Sequence, residues 1–447
     1  MVGEVHKALT IAGLDSGGGA GIIADLKTFS ALGVWGMAAI TSVTAQNTVG
    51  VFGVQDIATE MVRKQIEAVV EDIGVDAAKT GMLHTREIIM AVADEVENYG
   101  FPLVVDPVMV AKSGAPLMRE DAREVLIRKL FPLASIVTPN IPEAEAITGI
   151  KIRSIEDMES AAKYIVERLG CGAAVVKGGH MEGEKSIDVL YHDGEFFHFE
   201  SPRIQTKNTH GTGCTYSAAI TACLARGEGI VDAVRTAKEF IHIAILYGYD
   251  IGNGYGPVNH MAWLYRKAEK YEVIRELQEA LSEIESNPEY SRLIPEVGMN
   301  IALAIEHMMD REDIAAIPGR IRRTDRGPKA CCGPEFGASK HLASYITVAR
   351  EYDRNIRSAI NIRFDWETIR KLQELGLVVS SYDRSMEPEE IKKKEGMTIP
   401  WGTREAIKKI GRVPNVIYHE GDIGKEPMIV LLGKNTKELI EILKKIV

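Results

Sequence analysis

The sequence lacks several features that would assign it to a class at once. It has no apolar run long enough to cross a membrane, and its first residues, Met-Val-Gly-Glu-Val-His-Lys, carry no signal-peptide core. Its five cysteines show no paired framework, and the adjacent Cys331 and Cys332 do not have zinc-knuckle spacing. Positive charge is not in excess, because the net charge is −10. We therefore expect a cytoplasmic protein that binds neither membranes nor nucleic acid.

The composition is that of a globular protein, with 45% hydrophobic and 26% charged residues, and 447 residues are too many for one ordinary core. Up to residue 268, apolar strands alternate with helical patterns, which predicts a mainly parallel sheet flanked by helices. We interpret the long charged stretch 269–290 as a helical connection. Residues 291–447 predict a second, smaller α/β domain. Its strand candidates are 314–321, 359–364, 377–381, 416–418 and 428–432, and its helix candidates are 339–352, 366–375 and 436–446.

The loop at residues 205–219 reads Gln-Thr-Lys-Asn-Thr-His-Gly-Thr-Gly-Cys-Thr-Tyr-Ser-Ala-Ala. Gly211, Thr212 and Gly213 stand directly before small, helix-forming residues, so backbone N–H groups are expected to point outward at a helix N-terminus. With the helix dipole, these groups make a site for an anion, usually a phosphate. Cys214 falls in the first turn, where a thiolate would be stabilised. Gly-Thr-Gly alone fits equally well an ordinary loop before a buried helix.

A glycine-rich loop at residues 13–21 follows the first strand and contains Gly13 and Asp15. Its spacing does not fit a dinucleotide fingerprint, and no well-placed acidic residue follows a second strand. Gln46, at the end of the next strand, could pair with the edge of an aminopyrimidine or simply occupy a turn. Met82 would by default pack in the core.

Charged residues follow three later strands. Asp106 ends an apolar run, and Glu143 stands near a helix start after the next strand, so the two carboxylates are expected to meet at neighbouring strand ends. They could hold Mg²⁺, directly or through water, or act only as helix caps. Lys177 ends another strand and could neutralise phosphate charge, although a solvated lysine is the alternative.

Asn-Thr-His-Gly-Thr-Gly-Cys, at 208–214, closely resembles the anion-hole motif of the hydroxymethylpyrimidine and hydroxymethylpyrimidine-phosphate kinases. These kinases form a branch of the ribokinase-like superfamily. Most of the superfamily has an aspartate as the base at the position of Cys214, and the cysteine is typical of this branch. The glycine loop, Thr-Ala-Gln-Asn-Thr and Lys-Gly-Gly-His are similar to further motifs of that family. The resemblance implies a ribokinase-like fold and ATP- and Mg²⁺-dependent, stepwise phosphorylation of hydroxymethylpyrimidine. It assigns catalysis to Cys214 and Lys177, substrate binding to Gly13, Asp15, Gln46 and Met82, anion-hole and ATP binding to Asn140, Asn208, Thr209, Gly211, Thr212 and Gly213, and metal binding to Asp106 and Glu143.

In the second domain, Pro-Gly-Arg-Ile-Arg-Arg (318–323) places three arginines where they could clamp a pyrophosphate, or form a solvated basic loop. With Phe-Gly-Ala-Ser-Lys-His-Leu, Ser-Ser-Tyr-Asp-Arg and Asp-Ile-Gly-Lys-Glu-Pro (422–427), this segment resembles the archaeal-type thiamine-phosphate synthase domain, which commonly follows the pyrimidine kinase. The resemblance implies condensation of hydroxymethylpyrimidine pyrophosphate with thiazole phosphate, releasing pyrophosphate. A protonatable histidine would suit this reaction. The site residues expected here are Arg320 and His341 for catalysis, and Arg322, Lys340, Asn361 and Asp383 for binding.

The resemblance spans nearly all of the chain and predicts a bifunctional enzyme of thiamine biosynthesis, a homodimer acting on small molecules. Two alternatives remain. One is a kinase for pyridoxal, which Gln46 and Met82 disfavour. The other is a C-terminal domain that senses thiamine phosphate without catalysis, although no helix-turn-helix pattern accompanies it here.

Overall fold

The computed structural model describes residues 5–110, 114, 117–394, 396–422 and 424–447. The chain divides into two compact units, one ending at Leu264 and the other beginning at Tyr265. None of the helices in the described ranges is long and apolar enough to span a bilayer.

The first unit is built on a nine-stranded sheet. Its strands are β1 (Lys7–Asp15), β2 (Trp35–Gln46), β3 (Val51–Asp56), β4 (Ala77–Thr80), β5 (Leu103–Val105), β6 (Ile136–Val137), β7 (Ala173–Val176), β8 (Lys185–His192) and β9 (Glu195–Pro202). Its helices are α1 (Gly21–Ala31), α2 (Thr59–Asp72), α3 (Arg86–Tyr99), α4 (Glu120–Val125), α5 (Ile141–Thr148), α6 (Ile155–Leu169), α7 (Thr212–Ala225) and α8 (Ile230–Leu246).

The sheet order is β3-β2-β1-β4-β5-β6-β7-β8-β9. Every pair from β2 to β7 is parallel, whereas β3, β8 and β9 pair antiparallel. The predicted mainly parallel sheet is therefore confirmed. The inner strands β4, β5, β6 and β7 are entirely buried, as apolar strands covered by helices on both faces should be. Because these strands are parallel, their carboxyl ends share one edge of the sheet.

The second unit contains a seven-stranded sheet of order β14-β11-β10-β15-β18-β17-β16 and a separate hairpin, β12-β13. Only β16 and β17 pair parallel among its described strands. The strands are β10 (Asn300–Ala304), β11 (Ile314–Ala316), β12 (Ile321–Thr324), β13 (Gly327–Ala330), β14 (Glu335–Phe336), β15 (Ser358–Arg363), β16 (Val379–Ser381), β17 (Val416–His419) and β18 (Met428–Gly433). The helices are α9 (Ala262–Ser286), α10 (Lys340–Tyr352), α11 (Trp366–Glu374), α12 (Glu389–Lys392), α13 (Thr398–Ile410) and α14 (Thr436–Ile446).

The strand predicted at 314–321 is wrong in its second half. The chain leaves the sheet after Ala316 and turns at Gly319 and Arg320, whose φ angles are 71° and 66°. Strand β10, which the sequence analysis did not identify, lies next to β11 at the centre of the sheet. The division at 268 and 290 stays a prediction; in the structure α9 continues past 268, and its residues 273–284 contribute to the core of the second unit.

Candidate active sites

The carboxyl ends of the parallel strands open into a cavity of about 810 Å³ in the first unit. All but one of the residues predicted to act in this unit line it. The exception is Asn208, which is buried in the wall, where its Oδ1 would lie 2.3 Å from a Cβ added to Gly256. The lining residues are Gly13, Asp15, Gln46, Met82, Asp106, Asn140, Glu143, Lys177, Thr209, Gly211, Thr212, Gly213 and Cys214.

The start of α7 forms the turn predicted to bind an anion. Gly211 precedes the helix with a φ of 79°, and no side chain caps the first turn. The first N–H groups of a helix have no acceptor within it, so they remain available to a ligand at this edge. A Cβ on Gly211 would lie 1.8 Å from the carbonyl oxygen of Gly19, so the two glycine loops pack directly against each other.

Asp106 and Lys177 form an ion pair beside this turn. Asp106 Oδ1 accepts from Lys177 Nζ at 3.0 Å and from the Thr138 hydroxyl at 3.0 Å, while Oδ2 accepts from the Ser217 hydroxyl at 3.3 Å. Burial alone would raise the pKa of Asp106, but the ammonium groups of Lys177 and Lys79 outweigh it and keep this pKa below the ordinary value. Asp106 is therefore a carboxylate at neutral pH.

Glu143 and Asn140 form a capping box at the start of α5. The N–H of Glu143 donates to Asn140 Oδ1 at 2.9 Å, and the N–H of Asn140 donates to Glu143 Oε2 at 2.8 Å. Burial raises the pKa of Glu143 to about 7, against the effect of Lys177 and with that of Asp106. The described residues contain no group of three or more His, Cys, Asp or Glu side chains arranged to hold a metal. Any metal here would need further ligands from a bound phosphate.

Cys214 carries a neutral thiol, contrary to the thiolate expected at the start of a helix. Burial raises its pKa to about 11, and the nearby Asp25 and Asp106 oppose the lowering effect of Lys79. Desolvation therefore outweighs the effects of Lys79 and of the Gly21 N–H, both of which lower the pKa.

Asp15 organises the glycine loop. Its carboxylate accepts from the backbone N–H groups of Gly17 at 2.8 Å and Ala20 at 2.9 Å, and it lies 2.9 Å from His210 Nε2. Gln46 Nε2 in turn lies 3.4 Å from that histidine nitrogen. His210, which stands inside the quoted motif, was not identified as a site residue because its partner is distant in sequence.

A second ion pair lies beneath the cavity. Lys79 Nζ and Asp25 Oδ1 are 2.9 Å apart with both side chains fully buried, and the Thr10 hydroxyl donates to Asp25 Oδ2 at 2.6 Å. Lys79 also lines the cavity. The sequence indicates this ion pair only through a charged residue, Lys79, within the otherwise small and uncharged strand Ala-Ala-Lys-Thr.

In the second unit, Arg320 and His341 interact electrostatically. Arg320 has a φ of 66°, a conformation that non-glycine residues rarely adopt, and its Nη1 donates to the Val297 carbonyl at 2.7 Å. His341 is half-buried, and its Nε2 has no hydrogen-bond partner among the described residues. Burial, with the charges of Arg320 and Arg384, lowers the pKa of His341 to about 4. The imidazole is therefore neutral at pH 7, and the expected protonatable histidine is corrected to a neutral one.

The other residues expected in this unit take different positions. Arg322 and Lys340 are exposed. Asn361 joins β10 to β15, since its Oδ1 accepts from the Asn300 N–H at 2.7 Å. Asp383 is exposed and accepts from the Ser385 N–H at 2.8 Å, so its carboxylate caps a local turn. Within the motif at 422–427, Ile423 lies outside the described residues.

The mainly parallel sheet, the glycine loops and the uncapped helix start define the first unit as a ribokinase-like, ATP-dependent kinase of a small molecule. Residues 15–259 match the model of the phosphomethylpyrimidine kinase family, and the chain belongs to that family. Residues 276–445 match the model of thiamine-phosphate synthase ThiN. The chain is thus a bifunctional enzyme of thiamine biosynthesis, a hydroxymethylpyrimidine and phosphomethylpyrimidine kinase joined to a thiamine-phosphate synthase domain.

Each of the following relatives matches a little over half of the chain. The hydroxymethylpyrimidine/phosphomethylpyrimidine kinase of Bacillus subtilis is 49% identical over 262 residues, 58% of this chain and 96% of that protein. The thiamine biosynthesis bifunctional protein ThiED of Geobacter sulfurreducens is 50% identical over 256 residues, 57% of this chain and 52% of that protein. Among solved structures, an ADP complex of Bacillus subtilis pyridoxal kinase matches with a TM-score of 0.54 and 42% identity, covering 57% of this chain and 98% of that one.

Proposed function

We propose that the turn at Gly211, Thr212 and Gly213, together with Lys177, binds the phosphoryl group transferred from ATP to the hydroxymethyl group. One observation carries this proposal: a Cβ added to Gly213 would lie 3.5 Å from Lys177 Nζ and 3.7 Å from Asp106 Oδ2. A phosphoryl group resting on Gly213 would therefore meet backbone N–H groups and the lysine ammonium together. Preorganised donors of this kind stabilise the charge that develops during in-line transfer.

Asp106 and Glu143 fit a magnesium site completed by nucleotide phosphates. Asp106 is ionised, Glu143 has a pKa of about 7, and Mg²⁺ commonly takes one or two carboxylates together with phosphate oxygens and water. The ion would supply further neutralisation of phosphate charge. Lys177 and Thr138 hold Asp106 in place for that role, and Asn140 holds Glu143.

Cys214 orients the substrate hydroxyl in this proposal and does not act as a standing thiolate. A pKa of about 11 leaves almost all of the thiol protonated at pH 7. Phosphoryl transfer through a loose transition state depends mainly on positioning and charge stabilisation, so a strong base is not required.

The substrate ring would lie between Gly13, Gln46 and Met82. The Met82 sulphur would stand 3.3 Å from a Cβ on Gly13, so Gly13 and the Met82 side chain are close neighbours in the wall of the cavity. Asp15 and His210 fix the loop that covers this region, and Thr209 and Asn208 lie in the segment before α7. The likeness to pyridoxal kinases makes pyridoxal a second candidate substrate for the same cavity.

In the second unit, Arg320 and His341 would act on the pyrimidine pyrophosphate, with Arg322 and Lys340 at the exposed rim and Asn361 fixing the strands behind them. We retain as further parts of the proposal a homodimer, a cytoplasmic location and boundaries at 268 and 290.

The first experiment supplies the purified chain with hydroxymethylpyrimidine, ATP, Mg²⁺ and thiazole phosphate, and follows the products by mass. Thiamine phosphate should appear after the mono- and diphosphorylated pyrimidines. Pyrimidine pyrophosphate that accumulates without thiamine phosphate would make the second unit a sensor. In parallel, equal concentrations of pyridoxal and hydroxymethylpyrimidine compete for ATP; a preference for pyridoxal would overturn the substrate assignment. K177M should abolish the kinase steps only, and R320A the condensation only.

A further inference from the structure

Four rings form a continuous chain in the second unit. The His341 ring lies 5.5 Å from that of Tyr345, the Tyr345 and Tyr382 hydroxyls are 3.1 Å apart, and the Tyr382 ring lies 5.2 Å from that of His419. These side chains come from α10, the segment after β16, and β17. The packing of three separate elements therefore places two imidazoles at the two ends of one tyrosine pair.

Arg384 follows Tyr382 of this chain of rings by two positions, in the turn after β16. It is half-buried, its Nε is buried without a hydrogen-bond partner, and no ion pair joins it to a carboxylate among the described residues. The charge of Arg384 also depresses the pKa of both His341 and His419. Its neighbour Asp383, which the sequence singled out, points to solvent and caps the following turn.

Neither arginine of this cluster forms an ion pair with a carboxylate among the described residues. The charge of Arg320 also acts on His341, and its guanidinium donates to the Val297 backbone carbonyl. Glu387 lies near Tyr382 and is buried, yet one of its oxygens has no partner and it forms no ion pair with Arg384 among the described residues. Desolvated guanidinium groups are costly unless they are paired, and an anionic ligand would pair them.

Both histidines are held neutral within this cluster. Burial and the charges of Arg384 and His341 lower the pKa of His419 to about 3, and that of His341 is about 4. Nδ1 of His419 accepts from the Gly421 N–H at 3.2 Å, which leaves the proton on Nε2. Neutral imidazoles beside two arginines supply hydrogen bonds without adding to the cationic charge.

We propose that Arg384 binds the pyrophosphate group of the pyrimidine substrate alongside Arg320, and that His419 positions Arg384 and the tyrosine pair. The planar guanidinium can donate two parallel hydrogen bonds to phosphate oxygens, which a lysine cannot do. This inference rests on the thiamine-phosphate synthase reaction of the second unit and adds to it two residues that the motif analysis did not assign.

The test compares R384Q and R384K with the wild type, and uses R412Q, at an exposed arginine of the same unit, as the matched control. Pyrimidine pyrophosphate and thiazole phosphate are supplied directly without ATP, so the kinase unit takes no part. In R384Q, the KM for the pyrimidine pyrophosphate and the Ki of pyrophosphate as product inhibitor should rise by about 10- to 100-fold, the effect of losing a charged hydrogen bond. R384K should restore part of this loss, and R412Q should match the wild type.

The pH profile separates anion binding from a merely structural role. In the wild type, the groups that interact with His341 are Arg320, Arg384, Tyr345 and His419, and burial together with the two arginine charges should keep its ionisation out of the range between pH 5 and 8. R384Q should bring a histidine ionisation toward that range, whereas H419Q should lower kcat with a smaller effect on the Ki of pyrophosphate.

An unchanged KM and Ki in a folded, active R384Q would overturn the assignment of Arg384, and unchanged kinetics in H419Q would overturn that of His419. A wild type that makes no thiamine phosphate would instead overturn the synthase reaction itself. If R384Q melts at a lower temperature than R412Q, the comparison uses R384K, which retains the positive charge. A wild-type KM and Ki in R384K would show that the guanidinium does not make the proposed pair of hydrogen bonds.

Discussion

The ammonium group of Lys177 donates to Asp106 across the ends of β7 and β5, with Nζ and Oδ1 3.0 Å apart. The two residues lie next to Gly213, at the start of α7, and Asp106 is almost fully buried. The Lys177 ammonium and the Asp106 carboxylate therefore both lie beside the first turn of α7.

Replacing Asp106 by Asn should therefore impair phosphoryl transfer more than it impairs folding. Asparagine can still accept from Thr138, but it loses the charge that fixes Lys177 and that would hold a metal. We expect kcat of the kinase steps to fall by about 10²- to 10³-fold, comparable to the loss of one preorganised electrostatic contact. D232N, which alters an exposed carboxylate on α8, is the control. A D106N enzyme with the kcat of D232N would show that Asp106 serves only the structure.

Gly211 and Gly227 offer a matched pair of substitutions at the two ends of α7. Both have positive φ, 79° and 81°, so alanine pays a similar conformational cost of about 1–2 kcal/mol at either position. A Cβ at Gly211 would lie 1.8 Å from the Gly19 carbonyl, whereas nothing lies within 4 Å of one at Gly227. G211A must push the two glycine loops apart, and a misplacement near 1 Å can cost about 10²-fold in rate.

Steady-state phosphorylation of hydroxymethylpyrimidine by the two variants checks this. We expect G227A to keep kcat/KM within about twofold of the wild type, because it leaves both loops in place. Equal losses in the two variants would mean that conformational strain, and not contact between the loops, limits activity.

The sequence was sufficient to locate most of the kinase site because parallel strands bring their carboxyl ends to one edge. Asp106 and Glu143 could be placed together on that basis, whereas Lys177 and the residues of the glycine loops were assigned through the family resemblance. The pair formed by Lys79 and Asp25 could not, since its members are 54 positions apart and only the packing of α1 on the sheet joins them.

Local conformation and burial account for the remaining differences. Asp383 and Arg384 are neighbours at the start of a short turn, and only the structure shows that Asp383 is exposed while Arg384 is half-buried. No sequence pattern predicts which of the two is buried. The stretch 314–321 was predicted as one strand, but β11 ends at Ala316 and the chain then turns at Gly319 and Arg320, which both have positive φ. The neutral state of Cys214 and His341 follows from desolvation, which requires the packed structure.

Glu143 should make the stability of the first unit depend on pH. Its folded-state pKa of about 7 lies above the ordinary 4.5, so the folded state binds this proton more tightly than the unfolded state does. Stability is therefore greatest on the acid side and falls as the pH rises from about 4.5 through 7. Between pH 5 and 8 this one carboxyl should cost about 2–3 kcal/mol in the free energy of unfolding.

E143Q removes the ionisation and keeps a side chain that can accept from the Asn140 N–H. Urea denaturation is measured at pH 5 and pH 8, and the unfolding transition of the first unit is identified as the one that added nucleotide shifts. Between these two pH values, the free energy of unfolding should fall less in E143Q than in the wild type. E124Q, at an exposed position of α4, should behave as the wild type does. Identical pH dependence in E143Q and E124Q would contradict the raised pKa.

The buried pair of Lys79 and Asp25 should be the most sensitive polar feature of the first unit. K79M leaves the Asp25 carboxylate at zero exposure without its ammonium partner, and breaking such a pair costs about 3–5 kcal/mol in the free energy of unfolding. The double variant D25L/K79M removes both charges and should lose less than K79M alone, because no uncompensated charge remains. K64M, in an exposed pair with Glu60, should change stability by less than about 0.5 kcal/mol. Urea denaturation of the wild type and the three variants measures these differences in the free energy of unfolding. If K79M proves no less stable than K64M, the ammonium of Lys79 does not compensate the buried carboxylate of Asp25.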